Sequence, residues 1–315
     1  MECKKILLVG FGKVGFRYLE GILKTKYRLE IHLLHKDLKR KKIIDNIKTY
    51  PEKKIIFHQK SKTLPKSFFL TILSTRADIR VLILKKLSKT IKTKNWILEK
   101  PLCQNLKDLN YIQKFFINRK GWVNLNRYSN KYFKKLKKDI YKFKINKMKV
   151  SGYNWGIGCN GLHYIQYISK LFQKQKLQFK SLRTDRWYET KRKGIWDIYG
   201  VLKMSLEGKL DLILENRFHH KIKKTTILTF YKNKKEKIVL DEKSLFYKKN
   251  NLKNKISIPA VSKDITKILI ELINKNNCFL PKISDAIEIH KIFVSALLTS
   301  WRTIKSKNAI KVPIS

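Results

Sequence analysis

The sequence predicts an α/β protein of two domains: a doubly wound parallel sheet over residues 1–120, and an α+β domain on a mostly antiparallel open sheet over residues 121–315. Three observations predict this fold class. Short apolar runs alternate with helical patterns in the first 120 residues, as in parallel sheets flanked by helices. A glycine-rich loop follows the first run. Beyond residue 120 the runs are longer and alternate apolar with polar residues, which is typical of antiparallel strands.

The N-terminal elements follow from apolar runs and helical spacing. Residues 5–9 form a short apolar run that ends in glycines, which predicts a buried parallel strand. Residues 14–25 predict a helix whose buried face is made of Val14, Tyr18, Leu19, Ile22 and Leu23. The other predicted strands of this half are residues 29–34, 54–58, 68–74 and 96–98, and the other predicted helices are residues 77–88 and 105–117.

The second half predicts longer strands joined by polar or glycine turns. These strands are residues 195–206, 209–219, 224–232 and 236–240. A helix is predicted over residues 160–173, and a final amphipathic helix over residues 284–306, after Pro281. The Lys/Asn-rich stretch 248–256 predicts an exposed loop.

The chain carries 73 Lys and Arg against 23 Asp and Glu, a formal net charge of +50. The positive charge is spread over the whole length, and lysine greatly outnumbers arginine, the residue favoured for phosphate and base recognition. No helix-turn-helix, zinc-finger or RNP-like motif accompanies it. Most of this charge therefore indicates solvated surfaces, and a nucleic-acid partner is not expected.

The cysteines and the hydropathy restrict the class of protein further. Cys3, Cys103, Cys159 and Cys278 lie far apart without a C-x-x-C pair, so neither a zinc site nor a disulfide framework is indicated and no metal is expected. No apolar run approaches the roughly 18 residues needed to cross a bilayer. A soluble protein of the cytoplasm, with no membrane partner, is the expectation.

Residues 10–15 read Gly-Phe-Gly-Lys-Val-Gly, directly after a predicted strand and at the start of a predicted helix. In this context Gly10 permits the tight turn, Gly12 lets the backbone approach a pyrophosphate, and Gly15 permits close packing of helix on strand. The helix N-terminus supplies free N–H groups for an anion. The loop predicts a dinucleotide site that includes Lys13 and Val14.

The end of the second predicted strand bears on the choice between NAD and NADP. In domains that bind NAD, an acidic residue about 20 residues past the loop bonds the ribose. His35 and Lys36 stand there, with Lys39 and Arg40 close behind, and this cationic setting favours the 2′-phosphate of NADP. Asp37 would serve NAD if the strand ended two residues later, so NAD and NADP both stay open, with a lean towards NADP.

Two further strand ends carry polar residues, Ser74-Thr75 and Glu99-Lys100-Pro101. Ligands of open α/β sheets bind outside the carboxyl ends of the strands, so both segments are expected to border the nicotinamide. A lysine beside the nicotinamide could take part in proton transfer.

With these segments in this order, the chain resembles the Gfo/Idh/MocA oxidoreductases, the family of glucose-fructose oxidoreductase and inositol dehydrogenase, over essentially its whole length. The second half contributes residues 122–127, residues 158–163 and the final Leu280-Pro281…Ala286…His290 to the resemblance. The resemblance implies a Rossmann domain, a second α/β domain whose open sheet makes dimer contacts, and a tightly held NAD(P). It also implies reversible hydride transfer at a secondary alcohol of a sugar, cyclitol or nucleotide sugar.

The resemblance also assigns catalytic roles. Lys100 would hydrogen-bond the reacting hydroxyl, and His163 would act as general acid/base or orient the alcohol. Two positions depart from the family pattern, because Cys159 and Gln166 stand where carboxylates are common. Another departure is the segment from Thr75 to Arg80, where arginine replaces the family's histidine.

Candidate substrate contacts are Asn126, Arg127, Tyr132, Trp155 and Asn160, and Arg127 would suit a phosphorylated or nucleotide-linked sugar. The chain is thus expected to be an NAD(P)-dependent oxidoreductase of carbohydrate metabolism, including polysaccharide biosynthesis, that forms a homodimer or homotetramer. The alternative is a dinucleotide-binding regulator or scaffold of the same fold, in which the altered residues near His163 mark lost chemistry.

Overall fold

The computed structural model describes residues 3–47, 51–125, 131–172, 176–207, 210–242, 246–249, 252–255 and 261–315. The chain divides into two compact units. The first unit comprises Met1–Cys103, Asp108–Asn126 and Pro259–Asp285, and the second comprises Gln104–Lys107, Arg127–Ile258 and Ala286–Ser315.

Strands and helices are numbered in chain order. The strands are β1 (Lys4–Val9), β2 (Leu29–Leu34), β3 (Lys53–His58), β4 (Ser67–Leu73), β5 (Lys92–Leu98), β6 (Lys120–Val123), β7 (Lys147–Tyr153), β8 (Leu177–Glu189), β9 (Trp196–Leu206), β10 (Leu210–Arg217), β11 (Ile227–Tyr231), β12 (Lys237–Asp241), β13 (Phe246–Lys249) and β14 (Leu252–Lys255). The helices are α1 (Lys13–Leu23), α2 (Lys39–Asp45), α3 (Ala77–Ser88), α4 (Leu106–Phe115), α5 (Lys131–Phe143), α6 (Ile157–Leu171), α7 (Val261–Lys275) and α8 (Ile283–Ile304).

The first unit contains a parallel sheet of strand order β3-β2-β1-β4-β5-β6. Neighbouring strands pair in parallel throughout the described residues. The order reverses between β1 and β4, which creates the crevice where ligands of doubly wound sheets bind. The predicted doubly wound sheet is confirmed, and β2 and α3 have the predicted limits.

A late segment of the chain completes this unit. Helix α7 packs on α1, where the Thr266 hydroxyl donates to the Gly21 carbonyl oxygen at 2.8 Å. Ile265 and Ile268 join the same buried cluster as Tyr18 on α1. The division of the chain therefore differs from a single boundary near residue 120, because α7 and the described residues up to Asp285 belong to the same compact unit as the N-terminal sheet.

The second unit contains a sheet of order β14-β13-β12-β11-β7-β10-β9-β8. Strands β7 and β10 pair in parallel, and the other described neighbours are antiparallel. The predicted, mostly antiparallel sheet is confirmed. The exposed loop predicted over 248–256 is wrong for its described residues, because β13 and β14 pair there as a hairpin. Backbone pairing to β12 supports these lysine-rich strands, which carry little apolar signal of their own.

Among the described residues, none of the helices combines the length and hydropathy that a bilayer-crossing segment needs.

Candidate functional site

The glycine loop lies between β1 and α1, and the geometry of the loop accounts for glycine differently at each of its three positions. Gly10 has φ +88°, a left-handed backbone conformation that favours glycine. A Cβ on Gly15 would lie 2.2 Å from the Gly10 carbonyl oxygen, so only glycine lets α1 pack this closely. A Cβ on Gly12 would meet nothing within 4 Å. The backbone at Gly12 therefore faces open space at the N-terminus of α1.

The first turn of α1 is suited to an anion. Gly12 is its N-cap, so no side chain caps the turn, and no acidic residue lies within it. Lys13 and Val14 are exposed there, and Val14 is 42% exposed, which corrects its predicted place on the buried face of the helix. Uncapped N–H groups beside open space are what a pyrophosphate requires.

A cleft of about 440 Å³ lies at the carboxyl ends of the first strands of this sheet. One side is formed by α3, which contributes the apolar residues Ile79, Ile83 and Leu87 together with Lys86. The other lining includes the ends of β1 and β2, the loops that follow β2 and β3, and Thr75 after β4. Its cationic residues are Lys36, Lys60, Lys62 and Lys86, and none of the described lining residues is acidic.

His35 and Lys36, predicted cofactor contacts, both line this cleft. Burial lowers the pKa of His35, and its Nδ1 accepts a hydrogen bond from the Asp37 backbone N–H at 3.1 Å. The Asp37 carboxylate accepts from the Lys39 backbone N–H at 3.0 Å and is not among the lining residues. Asp37 thus stabilises the start of α2, which weakens the NAD alternative based on this carboxylate.

Ser74 and Thr75 follow β4 and meet the glycine loop. The Ser74 hydroxyl contacts the carbonyl oxygens of Val9 at 3.0 Å and Gly10 at 2.5 Å, which ties the two strand ends together. Thr75 Oγ1 is buried and has no hydrogen-bond partner among the described residues. Buried polar groups are normally paired, so a residue of the cleft wall with this unpaired hydroxyl fits a site that binds a polar ligand.

Glu99 is buried at the end of β5 and has partners within the protein. Its Oε1 accepts hydrogen bonds from the Tyr18 hydroxyl at 2.7 Å and the Asn124 amide at 2.5 Å. Burial and the charge of Glu99 raise the pKa of Tyr18, so the phenol stays protonated. These contacts favour a positioning role for Glu99, holding α1 against β5, over the predicted contact with the cofactor.

Arg80 of α3 braces the segment that follows β5. Its guanidinium, 1% exposed, donates to the carbonyl oxygens of Glu99 at 2.7 Å, Leu102 at 3.2 Å, Pro101 and Thr75. Burial lowers the pKa of Arg80 to about 10, which still leaves it charged at neutral pH. One side chain therefore joins the ends of β4 and β5, a role that explains arginine at this departure from the family pattern.

Lys100 lies in this braced segment, between two residues whose carbonyl oxygens accept from Arg80. The lysine is half-buried and directly follows Glu99, the first residue after β5, whose carboxylate accepts from the Tyr18 hydroxyl. Its backbone is thus held from α1 and from α3. That restraint suits a side chain that must meet a substrate in one position.

In the second unit, the N-terminus of α6 is capped from β9. The Asp197 carboxylate is 2% exposed and accepts from the backbone N–H groups of Gly158 at 2.6 Å and Cys159 at 3.0 Å. Gly156 has φ +76°, and a Cβ there would lie 2.3 Å from Asp197 Oδ2. A carboxylate at a helix N-terminus is stabilising, and here it occupies the place that an anionic ligand would take.

The predicted residues on and before α6 have different surroundings. Trp155 is 2% exposed and its indole N–H donates to the Glu215 carbonyl oxygen at 2.8 Å, so it packs in the core and the predicted substrate contact is not supported. Asn160 donates to the Trp155 carbonyl oxygen at 2.5 Å. His163 is half-buried one turn further along the helix, and Gln166 is buried on the next turn.

Asn126 and Arg127 lie outside the described residues, as does the side chain of Tyr132 on α5. Within the first unit, the glycine loop, Ser74, Thr75, Glu99 and Lys100 meet at one edge of the sheet. Within the second unit, Asn160 and His163 share the start of α6. In the described part of the chain, no group of three or more His, Cys, Asp or Glu residues is placed to hold a metal ion.

Several residues were not identified from the sequence, namely Tyr18, Asn124, Lys60 and Lys62 in the first unit and Asp197 in the second. The two lysines had a usable signal: they follow the predicted strand 54–58, and the strand order of a doubly wound sheet puts that strand beside the one ending at His35. Tyr18, Asn124 and Asp197 carried no such signal, because their partners are distant in sequence.

No model of a known protein family matches the sequence, and no curated protein matches it. Solved structures do match its fold. The dehydrogenase MviM from Clostridium difficile has a TM-score of 0.68 at 14% identity, covering 94% of this chain and 99% of that chain. A variant of KijD10, a 3-ketoreductase from Actinomadura kijaniata in complex with TDP-benzene and NADP, has a TM-score of 0.72 at 10% identity, covering 95% and 98%.

The fold also occurs in a regulator. A super-repressor mutant of Gal80p from Saccharomyces cerevisiae has a TM-score of 0.71 at 12% identity, covering 96% of this chain and 97% of that chain. These likenesses establish the architecture: the chain has the fold of the Gfo/Idh/MocA proteins. Enzymes and a repressor share this fold, so it does not by itself decide the function.

Proposed function

We propose that the protein is an NAD(P)-dependent oxidoreductase that prefers NADP and acts on a secondary hydroxyl or keto group of a sugar or nucleotide sugar. The observation that carries the proposal is the carboxyl edge of the first sheet. There an uncapped helix N-terminus faces open space at Gly12, beside a cleft with cationic residues and no acidic residue in its described lining.

The residues of this edge fit a dinucleotide. The turn at Gly12 and the first turn of α1 would hold the pyrophosphate, and the cleft would hold the adenosine against α3. Thr75 Oγ1 would gain the partner it lacks among the described residues. When bound, the nicotinamide accepts or supplies a hydride.

The chain's own residues would handle the hydroxyl proton. Lys100, held by its braced backbone, would hydrogen-bond the reacting oxygen, and His163 would accept the proton on oxidation or return it on reduction. Asn160, one turn before His163, would contact another hydroxyl of the substrate. Asn126, Arg127 and Tyr132 remain candidate substrate contacts.

The substrate class is supported by the fold and by one neighbour. KijD10 is a 3-ketoreductase whose structure holds TDP-benzene and NADP, so the same fold accepts a nucleotide beside this cofactor. We extend this to a sugar or nucleotide sugar for the present chain, with a place in carbohydrate or polysaccharide metabolism in the cytoplasm and assembly as a homodimer or homotetramer.

A dinucleotide-binding regulator is the alternative, because Gal80p shares the fold and because Cys159 and Gln166 replace carboxylates that are common in the family. The two functions differ in turnover. The purified protein would be incubated with NAD or NADP and a panel of sugars and nucleotide sugars, following absorbance of the reduced nicotinamide. We expect turnover with at least one member, lost in Lys100→Ala and His163→Ala while cofactor binding persists. Cofactor binding without turnover across the panel would favour the regulator.

A further inference from the structure

The turn after β3, residues 59–63, supplies two lysines to the cleft, and neither belongs to the glycine loop or to the polar strand ends after β2, β4 and β5. Lys60 and Lys62 both line the cleft and are exposed. Lys39 and Arg40, which the sequence placed near the adenosine ribose, lie on α2 and are not among the lining residues. The positive charge that faces this space from beyond β2 therefore comes from Lys36 and the β3 turn.

The two sides of the cleft differ in chemistry. Ile79, which is 41% exposed, and Ile83 form apolar surface on α3 suited to a purine ring. The β3 turn contributes two lysines, whereas Lys36 and Lys86 of α3 contribute one each, and none of the described lining residues is a carboxylate. A ribose hydroxyl pair would find no carboxylate to bond there, whereas a phosphate on the ribose would find cations.

Hydrogen bonds from the end of β3 and from within the turn hold the backbone of the β3 turn. His58, at the end of β3, has its Nδ1 2.8 Å from Thr63 Oγ1, and the Thr63 hydroxyl lies 3.0 Å from the Lys60 carbonyl oxygen. The Gln59 amide donates to the Lys36 carbonyl oxygen at 3.3 Å, joining this turn to the loop after β2. The lysine side chains thus extend from a fixed backbone, which reduces the entropy lost when they bind an anion.

We propose that Lys60 and Lys62 of the β3 turn recognise the 2′-phosphate of NADP and set the preference of this protein for NADP over NAD. The proposal rests on the proposed function, since it names the residues that choose the cofactor. Of the residues immediately after β2, where doubly wound domains usually make this choice, His35 and Lys36 line the cleft, and Lys36 supplies the ammonium group.

The test is calorimetric titration of the full chain and of the double variant Lys60→Ala/Lys62→Ala with NADPH and NADH. Charge-assisted contacts to phosphate predict that the variant loses about 10- to 100-fold in affinity for NADPH, with NADH affinity little changed. The probes 2′,5′-ADP and 5′-AMP differ in the 2′-phosphate and lack the nicotinamide. The double variant should bind 2′,5′-ADP more weakly than the wild type does, with unchanged affinity for 5′-AMP. Lys60→Glu/Lys62→Glu should reverse the preference.

Lys24→Ala/Lys26→Ala is the matched control, because it removes two exposed lysines of the same unit that do not line the cleft. The proposal is overturned if the Lys60/Lys62 variant keeps its preference for NADPH, or if the control loses as much. Wild-type protein that binds NADH as tightly as NADPH also overturns it. Wild-type protein that binds neither cofactor contradicts the proposed function instead. Thermal melts of each variant establish that it is folded.

Discussion

Arg80 shows how much one buried side chain can organise. Its guanidinium donates to four backbone carbonyl oxygens drawn from the ends of two neighbouring strands. Backbone carbonyls at strand ends have no ladder partner, so a buried end needs another donor. Arginine can satisfy several at once because it has five N–H donors in a fixed plane. The segment that carries Lys100 owes its position to this contact.

Replacing Arg80 by methionine keeps most of the volume and removes every donor. The buried carbonyl oxygens lose their partner, so we expect the free energy of unfolding of the first unit to fall by about 3 kcal/mol. Thermal unfolding followed by circular dichroism measures this. At temperatures below the melting range, kcat should fall while the KM for NADPH changes little. The variant Arg80→Lys should recover part of the lost kcat. Arg76→Ala, at an exposed arginine paired with Asp78, is the control, and equal losses in both variants would contradict the bracing role.

The glycines of the loop separate folding from binding. Gly15→Ala places a Cβ against the Gly10 carbonyl oxygen, and such overpacking costs about 1–3 kcal/mol. Gly12→Ala places a Cβ in open space at φ −82°, which alanine tolerates. We therefore expect a lowered melting temperature only for Gly15→Ala. Gly12→Ala should melt normally and bind NADPH about 10-fold more weakly, because its methyl group keeps the pyrophosphate from the backbone. Unchanged NADPH affinity would argue against that site.

At the scale of elements, β2 and β3 share a buried histidine pair beneath the cleft. His32 Nδ1 lies 2.8 Å from His58 Nε2, and His32 Nε2 lies 2.7 Å from a Glu30 carboxylate oxygen. Burial lowers the pKa of both histidines. Lys5 of β1 and Lys54 of β3 also disfavour a charge on His32, whereas Glu30 favours it.

Because the folded-state pKa of each histidine lies below its value in the unfolded chain, the unfolded chain binds more protons below about pH 6.5. The contribution of the pair to stability is complete above that pH and declines as the pH falls through the folded-state pKa. We expect the melting temperature to drop between pH 7 and pH 5, and less steeply in His58→Gln. Asp264, whose pKa burial raises to about 6, acts in the opposite sense and is common to both proteins. The same dependence of melting temperature on pH in the wild type and in His58→Gln would contradict this role of the histidine pair.

Elements with strong local patterns were predictable from the sequence, and elements defined by distant partners were not. The apolar runs of β1, β2 and β4 alternate with helices at a spacing that only a parallel sheet satisfies. Strand β8 carries mostly exposed polar side chains, and α7 reaches its partner α1 across more than two hundred residues. The position of β8 follows from its backbone pairing with β9, and that of α7 from its packing on α1. Neither partner can be identified from the residues of the element itself.

At the scale of the whole molecule, the net charge of +50 has a local consequence in the cleft. Cofactor binding should weaken with added salt, since ammonium–phosphate attraction is screened.

The candidate site was predictable where a motif fixes the backbone, as at residues 10–15 and 99–101. The internal partners of the Glu99 and Asp197 carboxylates were not predictable, since those partners come from other elements.

The central claim is that the first unit binds NADP at the glycine loop and the cationic cleft. Calorimetric titration of the unmodified full chain with NADPH, and separately with NADH, tests it most directly. We expect saturable binding of one NADPH per chain, with higher affinity than for NADH and with an affinity that falls as salt is added. Titrations that release no binding heat with either nucleotide, together with no shift of the melting temperature at saturating concentrations, would contradict it.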